Sequence, residues 1–401
     1  MKSGWNIKPL QSLCDNVKQD IVDGPFGSEL QRKDYIPDGI PVLKIQNIKP
    51  YAVELKKMDF VTSAKFQELK RHSYKPGDIV MTKLGNPLGV SAIVEGVDAG
   101  IIVADLVRIR AQHINTKYLC YHLNSQHTSD YINAMQKGTT RPRVTLSVVR
   151  ELPIAVPTSN EQHRIVVILD EAFNAIATAK SNAEKNLQNA RAIFASHLQS
   201  VFTQRGEGWV EKTVGEIANH SLGKMLDKAK NKGEPQRYLR NVNVRWFIFD
   251  LSDLLEMRFL EEESSKYTAV KGDVLICEGG YPGRAAIWDQ DYPIHFQKAL
   301  HRVRFHEPEH NKWFVYFLYA QDEGGELRQH FTGTGIQHFT GEVLRRFKLP
   351  IPPLPKLRQL VSRMETISTE TQRLESLYQQ KLVALDELKK SLLDQAFSGQ
   401  L

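Results

Sequence analysis

The chain has 401 residues, of which 41% are hydrophobic and 25% are charged, and its formal net charge is +7. That length predicts two or three domains at roughly 150 residues each, and the basic balance favours a polyanionic partner. The three cysteines form no C-x-x-C pair, which argues against a zinc site or a disulfide framework. No apolar run approaches the ~18 residues of a membrane span, and the first residues lack the apolar core of a signal peptide. We therefore expect a cytoplasmic protein with reduced thiols.

The sequence repeats itself at an offset of 195 residues. The aromatic run YLCYHL at 118–123 corresponds to WFVYFL at 313–318. The same offset relates SHLQSVF at 196–202 to SLLDQAF at 391–397. A register held over this distance predicts an internal duplication that covers nearly the whole chain.

In chain order, each half begins with short runs of β-type residues that are separated by Gly, Pro, Asn and Asp. These runs include 40–48 and 78–85 in the first half and 273–280 and 300–305 in the second. A short aromatic helix, a glycine–threonine loop and a proline-rich exit follow in both halves. Because proline suits the first turn of a helix but cannot continue one from before it, each exit predicts the start of a long helix.

A long helix closes each half, at about 160–203 and about 356–398. Apolar residues recur at a and d spacing in both, so each helix carries a stripe that must pack on a partner. We expect the two helices to form an antiparallel coiled coil; packing of each helix on its own globular domain is the alternative. The predicted seam residues are Ile165, Leu169, Ile176, Leu187, Phe194, Leu360, Met364, Ile367, Leu374, Leu385, Leu388 and Leu392.

The predicted fold class is α+β, with two duplicated mixed α/β domains separated by two long helices and related by a pseudo-two-fold axis. The predicted boundaries are 1–155 for the first domain, 156–205 for the central helix, 206–352 for the second domain and 353–401 for the C-terminal helix. A chain of this design would imitate a DNA-binding dimer with two unlike half-sites.

Polar loop positions differ between the halves, whereas the glycines and apolar residues around them agree. Lys83 corresponds to Glu278, and Arg143 to His338. Lys, Arg, Asn and Gln contact base edges, and Glu accepts a hydrogen bond from cytosine N4. Two readers of different DNA sequences would diverge in this way; two drifted copies with unimportant surface loops are the alternative. The candidate DNA contacts are Lys44, Gln46, Asn47, Lys83, Asn86, Thr139, Thr140, Arg141, Arg143, Arg240, Asn243, Glu278, Tyr281, Arg284, Thr334, Gln337 and His338.

The loop KGTTRPR at 137–143 combines small hydroxyl side chains, backbone amides and two arginines. Such a loop is suited to approach a phosphate, and its proline limits the entropy lost on binding. The second half keeps the Gly-Thr pair but has Gln337 and His338 near the positions of the arginines. We interpret the shared pair as positioning and the divergent residues as local reading or added phosphate contact. A solvated connection that only precedes the helix is the alternative.

Catalytic signatures are weak in this sequence. No G-x-x-x-x-G-K-[ST] is present, and no G-x-G-x-x-G follows a predicted strand. Asp78 followed by Lys83 resembles half of a metal-nuclease motif. In the second half Glu278 replaces the lysine, and no second carboxylate is placed near the motif in the first.

Several local patterns resemble one family, the specificity subunits of type I restriction–modification enzymes. They are GPFGSEL at 24–30, GIPVLKIQNI at 39–48, YKPGDIVMTKLGNPLG at 74–89, VKGDVLICEGGYPGRAAIW at 270–288, the exit from 137 to 166 and the closing SLLDQAFSGQL. The order and duplication of these patterns carry the resemblance across essentially the whole chain.

The resemblance implies that each globular domain is a target recognition domain for one part of a bipartite sequence in double-stranded DNA. It also implies that the helices space these domains and dock two methyltransferase subunits, which motor-nuclease subunits join. Catalysis would belong to these partners, which would bind S-adenosylmethionine, Mg²⁺ and ATP and would flip the target adenines. This chain would then hold no cofactor or metal and would not contact a membrane.

Two other classes remain open from the sequence. One is a methyltransferase or nuclease that acts alone and uses the repeats as substrate domains. The other is a structural adaptor that holds only protein partners. Methylation of DNA by the purified chain would support the first, and a DNA shift assay would separate the second from a DNA-binding subunit.

Overall fold

The computed structural model describes residues 5–138, 140–227, 229 and 231–401. They form two compact units. Unit 1 comprises Met1–Ala183 and Gln380–Leu401, and unit 2 comprises Glu184–Gln379. Each unit therefore holds one of the predicted globular domains together with part of both long helices. Within the described ranges, no helix is both long enough and apolar enough to cross a membrane.

Unit 1 is built from short strands and helices that precede the first long helix. Its strands are β1 (Asn6–Pro9), β2 (Ile21–Asp23), β3 (Tyr35–Ile36), β4 (Ile40–Leu43), β5 (Ile48–Lys49), β6 (Ala52–Val53), β7 (Asp59–Val61), β8 (Ser73–Tyr74), β9 (Ile79–Thr82), β10 (Ser91–Ile93), β11 (Gly100–Ile102), β12 (Leu106–Ile109) and β13 (Pro153–Val156). Its helices are α1 (Val17–Asp20), α2 (Ser63–Glu68), α3 (Thr116–Leu123), α4 (Gln126–Met135), α5 (Leu146–Arg150) and the first part of α6 (Ser159–Thr203).

Two sheets form the core of unit 1. One is antiparallel with the order β10-β9-β12-β2, and the other has the order β3-β7-β4-β11-β8 with β11 and β4 parallel. Strand β9 is buried on both faces: Ile79 and Met81 pack with the aromatic helix α3, and Val80 packs with β4 and β11. Because both faces are covered, β9 reads as a nearly continuous apolar run instead of an alternating one.

Unit 2 repeats this order of elements. Its strands are β14 (Val210–Thr213), β15 (Ala218–Leu222), β16 (Glu234–Leu239), β17 (Leu255–Phe259), β18 (Thr268–Ala269), β19 (Val274–Cys277), β20 (Ala285–Ile287), β21 (Ile294–Phe296), β22 (Leu300–Phe305) and β23 (Lys348–Ile351). Its helices are the last part of α6, α7 (Val214–Ile217), α8 (Ser264–Tyr267), α9 (Glu309–Glu323), α10 (Gly341–Arg346) and the first part of α11 (Leu354–Ser398). Its sheets have the orders β15-β22-β19-β20 and β17-β16-β21-β18.

The duplication extends to individual buried contacts. In unit 1 the almost fully buried Asp78 accepts hydrogen bonds from Arg110 Nε at 2.8 Å and Nη2 at 2.7 Å. In unit 2 Asp273 accepts from Arg304 Nε at 2.7 Å and Nη2 at 2.6 Å. A bidentate pair of this kind compensates for burying the aspartate, and it joins two neighbouring segments of the antiparallel sheet. The predicted fold class, with two copies of a mixed α/β domain, is confirmed.

One aromatic side chain in each unit fixes the exit strand that leads to a long helix. Tyr118 Oη donates to the Ala155 carbonyl at 2.9 Å, and Trp313 Nε1 donates to the Pro350 carbonyl at 2.7 Å. Both donors lie on the aromatic helix of their unit, α3 or α9. The aromatic helix thus satisfies its own buried polar atom and holds the strand that precedes the long helix.

The two long helices pack against each other in both units. In unit 1 the start of α6 shares a core cluster with the end of α11, and Lys180 Nζ lies 2.7 Å from Asp386 Oδ1. In unit 2 the end of α6 shares a core cluster with the start of α11, and Arg191 Nε lies 2.9 Å from Glu375 Oε1. The start of one helix meets the end of the other in each case, so the helices run antiparallel, as predicted.

The predicted seam holds along α6. Ile165, Leu169, Ile176 and Phe194 are buried, and Leu187 is half-buried. On α11, Met364 is buried and Leu360, Ile367, Leu385 and Leu392 are half-buried.

The prediction is wrong at Leu374 and Leu388, which are exposed. The inward face of α11 passes instead through Glu375 and Lys389, one residue later. Leucines occupy two adjacent stripes of α11, so hydrophobicity alone does not set the phase. The phase follows from the first turns of the helix, where Leu357 lies buried in the core of unit 2.

This register predicts different costs for two substitutions in unit 2. Met364→Ala should lower the free energy of unfolding by about 2–5 kcal/mol, because it removes a fully buried side chain and leaves a cavity. Leu374→Ala should cost less than about 1 kcal/mol, because the side chain is already exposed. Urea unfolding of both full-length variants measures the difference. Equal losses would contradict the assigned phase.

Candidate nucleic-acid interface

Three loop segments meet at one end of the antiparallel sheet in unit 1. They are the 3₁₀ turn Ile45–Asn47, the loop 83–86 after β9, and the loop 137–144. The Val144 amide donates to the Lys83 carbonyl at 3.0 Å, and the Gly85 amide donates to the Pro142 carbonyl at 2.9 Å. A Cβ placed on Gly85 would lie 3.8 Å from Ile45 Cδ1, so the turn also adjoins this loop.

The corresponding segments meet in the same way in unit 2. The Phe339 amide donates to the Glu278 carbonyl at 2.7 Å, which joins the loop after β19 to the loop 332–339. Asn241 Nδ2, in the 3₁₀ turn Asn241–Asn243, donates to the Gly279 carbonyl at 3.0 Å. Both units therefore present the same three backbone segments, although their side chains differ.

We call the loops 137–144 and 332–339 the recognition loops. The glycine that they share is required by the backbone. Lys137 and Arg143 exchange two backbone hydrogen bonds of 2.9 Å, and Thr332 and His338 exchange the same pair in unit 2. Inside these closed loops, Gly138 has φ 88° and Gly333 has φ 106°. Residues with a side chain rarely adopt a φ in this range, so the glycines shape the loop whether or not they approach a phosphate.

The neighbouring hydroxyl residues were also predicted to contact DNA. Thr140 and Thr334 are exposed, and Thr139 lies outside the described residues.

Two candidate cations of unit 1, Lys83 and Arg141, are paired with carboxylates. Lys83 Nζ lies 2.7 Å from Asp23 Oδ2, and the side chain of Lys83 is only 18% exposed. Arg141 Nη2 lies 3.2 Å from Asp105 Oδ2, but the side chain of Arg141 is 67% exposed. Arg141 can therefore reach a ligand while Lys83 mainly holds Asp23.

Four other candidates of unit 1 are exposed or partly exposed. Lys44 pairs with Asp59, and Gln46 Nε2 donates weakly to the Lys57 carbonyl at 3.3 Å. Arg143 is exposed, and across the ranges that the structure describes its guanidinium has no ion pair. Asn86 is exposed as well.

Unit 2 replaces both partners of each ion pair at the sheet end. Leu222 at the end of β15 occupies the position that Asp23 has at the end of β2. Glu278 occupies the position of Lys83. By the repeat offset, Ile336 takes the position of Arg141. Glu278 is half-buried, and within the described part of the chain no cation pairs with it. A carboxylate in that state is available as a hydrogen-bond acceptor.

The remaining candidates of unit 2 form two local arrangements. The guanidinium of Arg284 stacks 4.0 Å above the exposed Tyr281 ring, and its Nη2 donates to the Asn241 carbonyl at 3.0 Å. Arg240 Nη2 lies 2.6 Å from Asp253 Oδ2. The recognition loop holds Gln337 exposed and His338 half-buried.

Asn47 and Asn243 do not belong to the interface, contrary to the sequence prediction. Both are almost fully buried. Asn47 Nδ2 donates to the Glu54 carbonyl at 2.9 Å and its Oδ1 accepts from the Lys44 amide at 3.0 Å. Asn243 makes the equivalent bonds with Asp250 and Arg240. Their amides are used to shape the 3₁₀ turns, so they position the surface instead of touching a ligand.

Sequence reasoning also passed over residues that the structure places at this end. Asp23 and Asp105 are the partners of the cations, and Ile336 is an exposed apolar side chain at the tip of its loop. Pairing across sixty residues, as between Asp23 and Lys83, leaves no local pattern in a sequence. Only the exposure of Ile336, which follows Gly333 and Gly335 in its loop, could have been suspected.

Titratable groups behind the loops add no charge to the surface. Burial raises the pKa of the Cys277 thiol to about 11, so it stays protonated at neutral pH. Burial, helped by the charge of His220, lowers the pKa of His301 to about 4, so this imidazole is neutral.

Two sequence patterns that suggest a metal site do not form one among the described residues. Asp78, half of the suspected nuclease motif, is engaged by Arg110 on both oxygens and accepts from the Lys75 amide at 2.9 Å. The sequence also contains HEPEH at 306–310, which fits the zinc pattern H-E-x-x-H. Helix α9 begins only at Glu309, so the two histidines do not share a helical face. Among the described residues no group of three or more His, Cys, Asp or Glu could hold a metal ion.

Comparisons with known proteins agree with this architecture. The putative type I restriction enzyme MjaX specificity subunit of Methanocaldococcus jannaschii is 20% identical over 424 aligned positions, covering 99% of this chain and 93% of that protein. A solved structure described as the type I R-M system superposes with a TM-score of 0.79 at 17% identity, covering 100% of this chain and 99% of the other. The HsdS subunit from Thermoanaerobacter tengcongensis superposes with a TM-score of 0.64 at 18% identity, covering 100% and 98%.

The match to a family model covers most of the chain. The model described as the type I restriction modification DNA specificity domain matches residues 3–188 and again residues 206–382. The description of that family names DNA specificity and no catalytic activity. The two matches coincide with the two halves of the internal repeat, as the resemblance of the sequence motifs implied. The chain therefore belongs to the family of type I restriction–modification specificity subunits and carries the family's DNA specificity domain twice.

Proposed function

We propose that each unit reads one part of a bipartite sequence in double-stranded DNA through its three converging loops. The observation that carries the proposal is that the three loop segments of each unit share one backbone arrangement but present different side chains. We call this shared backbone the platform. A platform set by buried contacts can keep its shape while the reading residues change. Base contacts specify sequence and phosphate contacts position the protein, so both kinds of side chain are needed on such a surface.

The two platforms favour different base contacts. Unit 1 offers the guanidiniums of Arg141 and Arg143, which suit phosphates and guanine. Unit 2 offers the carboxylate of Glu278, which suits cytosine N4, and the exposed side chain of Ile336, which suits a thymine methyl group. The half-sites are accordingly expected to differ in sequence.

The chain acts, in this proposal, as the non-catalytic part of a larger cytoplasmic complex. The long helices dock two methyltransferase subunits, and motor-nuclease subunits join that core. Leu377 of unit 2 and Val383 of unit 1 are exposed apolar residues on α11, which supports docking on this helix. S-adenosylmethionine, Mg²⁺ and ATP are expected in the partner subunits, and target adenines flip out of the duplex into the methyltransferases.

Exchange of one unit should change one half-site only. Residues 206–352 from a relative, grafted into this chain and expressed with methyltransferase subunits, should change one part of the methylated motif and leave the other part unchanged. Sequencing of methylated bases in the host DNA measures the motif. A graft that changes both parts together would contradict independent reading, and loss of all methylation by a soluble, assembled graft would contradict it as well.

The arginines of the unit 1 loop should contribute to phosphate contact. Arg141→Ala combined with Arg143→Ala should flatten the slope of log affinity against log salt by about two units, on specific and random DNA alike. Lys18→Ala is the matched control, because this exposed lysine precedes β2 and so lies at the opposite end of that strand from Asp23. Its slope should not change.

Two outcomes of the salt series would overturn this assignment. An unchanged slope with a relaxed preference at one base pair would make one arginine a base reader. If neither the slope nor the preference moves, the loop only connects the domain to its helix.

Glu278 should contribute sequence preference in the half-site of unit 2. Glu278→Gln should reduce discrimination at one cytosine position by about 1–3 kcal/mol, because an amide can donate as well as accept. Selection from a randomised duplex library measures the preference at every position. Glu307→Gln, at the opposite end of β22, is the control and should leave the preferred sequence unchanged. An unaltered sequence with Glu278→Gln would exclude this carboxylate as a reader.

A further inference from the structure

An exposed phenylalanine stands beside the recognition loops of unit 1. Phe26 is 76% exposed, the most exposed of the large apolar side chains across the ranges that the structure describes. It follows β2 by three residues, and Asp23 at the end of β2 is paired with Lys83 of the loop after β9. The ring therefore lies at the same end of the sheet as the proposed DNA contacts.

The exposure of Phe26 is held in place by its turn. The Phe26 amide donates to Glu29 Oε2 at 2.8 Å, and the Glu29 amide donates back to the Phe26 carbonyl at 2.9 Å. Just before the turn, the Gly24 amide donates to the Leu106 carbonyl at 3.2 Å. A Cβ at Gly24 would lie 2.1 Å from the Val103 carbonyl carbon, so the chain passes tightly against the sheet here. A rigid loop that keeps an aromatic ring in water loses little entropy when that ring is buried by a ligand.

Unit 2 places an apolar side chain at the same position. Gly223 corresponds to Gly24: its amide donates to the Leu300 carbonyl at 3.0 Å, and a Cβ there would lie 2.2 Å from the Gln297 carbonyl oxygen. Two residues later Met225 is 57% exposed. Its carbonyl accepts a hydrogen bond from Asn231 Nδ2 at 3.1 Å. The sequences of the two loops differ, so the shared feature is an exposed apolar side chain at this place.

The surroundings of Phe26 favour a nucleic acid as the ligand. The exposed cations Arg32 and Lys33 follow in the next turn, and the paired Lys83 and Arg141 lie on the adjoining loops. An aromatic or methionine side chain among cations is the combination by which proteins insert a wedge between base pairs while neutralising phosphates.

We infer that Phe26 and Met225 are wedge residues that enter the base stack at one step beside each half-site. This inference rests on the proposed function, because it requires that the loops of each unit bind double-stranded DNA. Insertion of the ring unstacks one step, and the stacking gained by the ring offsets that cost. The wedge fixes the register of each unit on the duplex and does not itself read a base.

The test uses the full-length chain with its methyltransferase subunits and duplexes that carry 2-aminopurine at successive positions. The selected sequence should show a rise in fluorescence at one step beside the half-site, separate from the methylated adenine. Phe26→Ala should abolish that rise and weaken binding about five- to a hundredfold, the range expected for one base stacked on an aromatic ring. Phe26→Trp should keep both. Ile7→Ala is the control, because Ile7 is another exposed apolar residue but lies on the separate two-stranded sheet of β1 and β13.

Each other outcome overturns a defined statement. If the wild-type complex selects no sequence from a random library, the proposed function fails and the wedge fails with it. If it selects a sequence but Phe26→Ala keeps the fluorescence rise and the affinity, only the wedge is wrong. If Phe26→Ala instead loses methyltransferase subunits during co-purification while the retained complex binds DNA normally, the loop is a protein contact and the inference is overturned. The same three results with Met225→Ala decide the case for unit 2.

Discussion

The antiparallel pairing of β12 with both β2 and β9 is the constraint on which the candidate interface depends. Val107 pairs with Asp23 on one side and with Met81 on the other, so the ends of β2 and β9 and the start of β12 lie together. The loops that follow β2 and β9 and the loop that precedes β12 therefore meet at that end of the sheet. The recognition loop 137–144 joins them through backbone hydrogen bonds to Lys83 and Gly85. Strand β22 pairs with β15 and β19 in the same register in unit 2. The reading surface is thus a consequence of strand register, and buried apolar residues fix that register.

Because buried strand pairing sets the backbone of the platform, side chains at its surface can differ between the units if their partners differ too. Asp23 with Lys83 in unit 1 corresponds to Leu222 with Glu278 in unit 2. The exchange removes the ion pair but leaves the Glu278 carboxylate half-buried and, among the described residues, without a cation. Coupled exchange explains how two copies diverge at the surface while their cores, such as the Asp78–Arg110 pair and its repeat, stay alike.

The sequence allowed the duplication, the mixed α/β halves and the antiparallel helices to be predicted, because these depend on patterns repeated over many residues. It did not allow the phase of α11 to be predicted at Leu374 and Leu388, since two leucine stripes run side by side and the core of unit 2 selects between them. Asn47 was misassigned because an asparagine that caps a turn and one that reads a base look alike in a sequence. Phe26 lies in the motif GPFGSEL, but its role could not be predicted, because its exposure is a property of the fold.

The intramolecular ion pair of Arg141 bears on discrimination as well as on affinity. In the free protein its guanidinium already lies against Asp105, so DNA gains only the difference between a new partner and the old one. An exposed pair of this kind is worth about 0–1 kcal/mol, which a bidentate contact to guanine or phosphate exceeds and a poorly placed contact does not. Asp105 therefore sets a threshold that a ligand must pass before Arg141 changes partner. In unit 2 the exposed Ile336 carries no such threshold and gains only where an apolar surface meets it. In the proposed function, the two units discriminate by different physical means, one by competition for a charge and the other by burial, on a platform of the same shape.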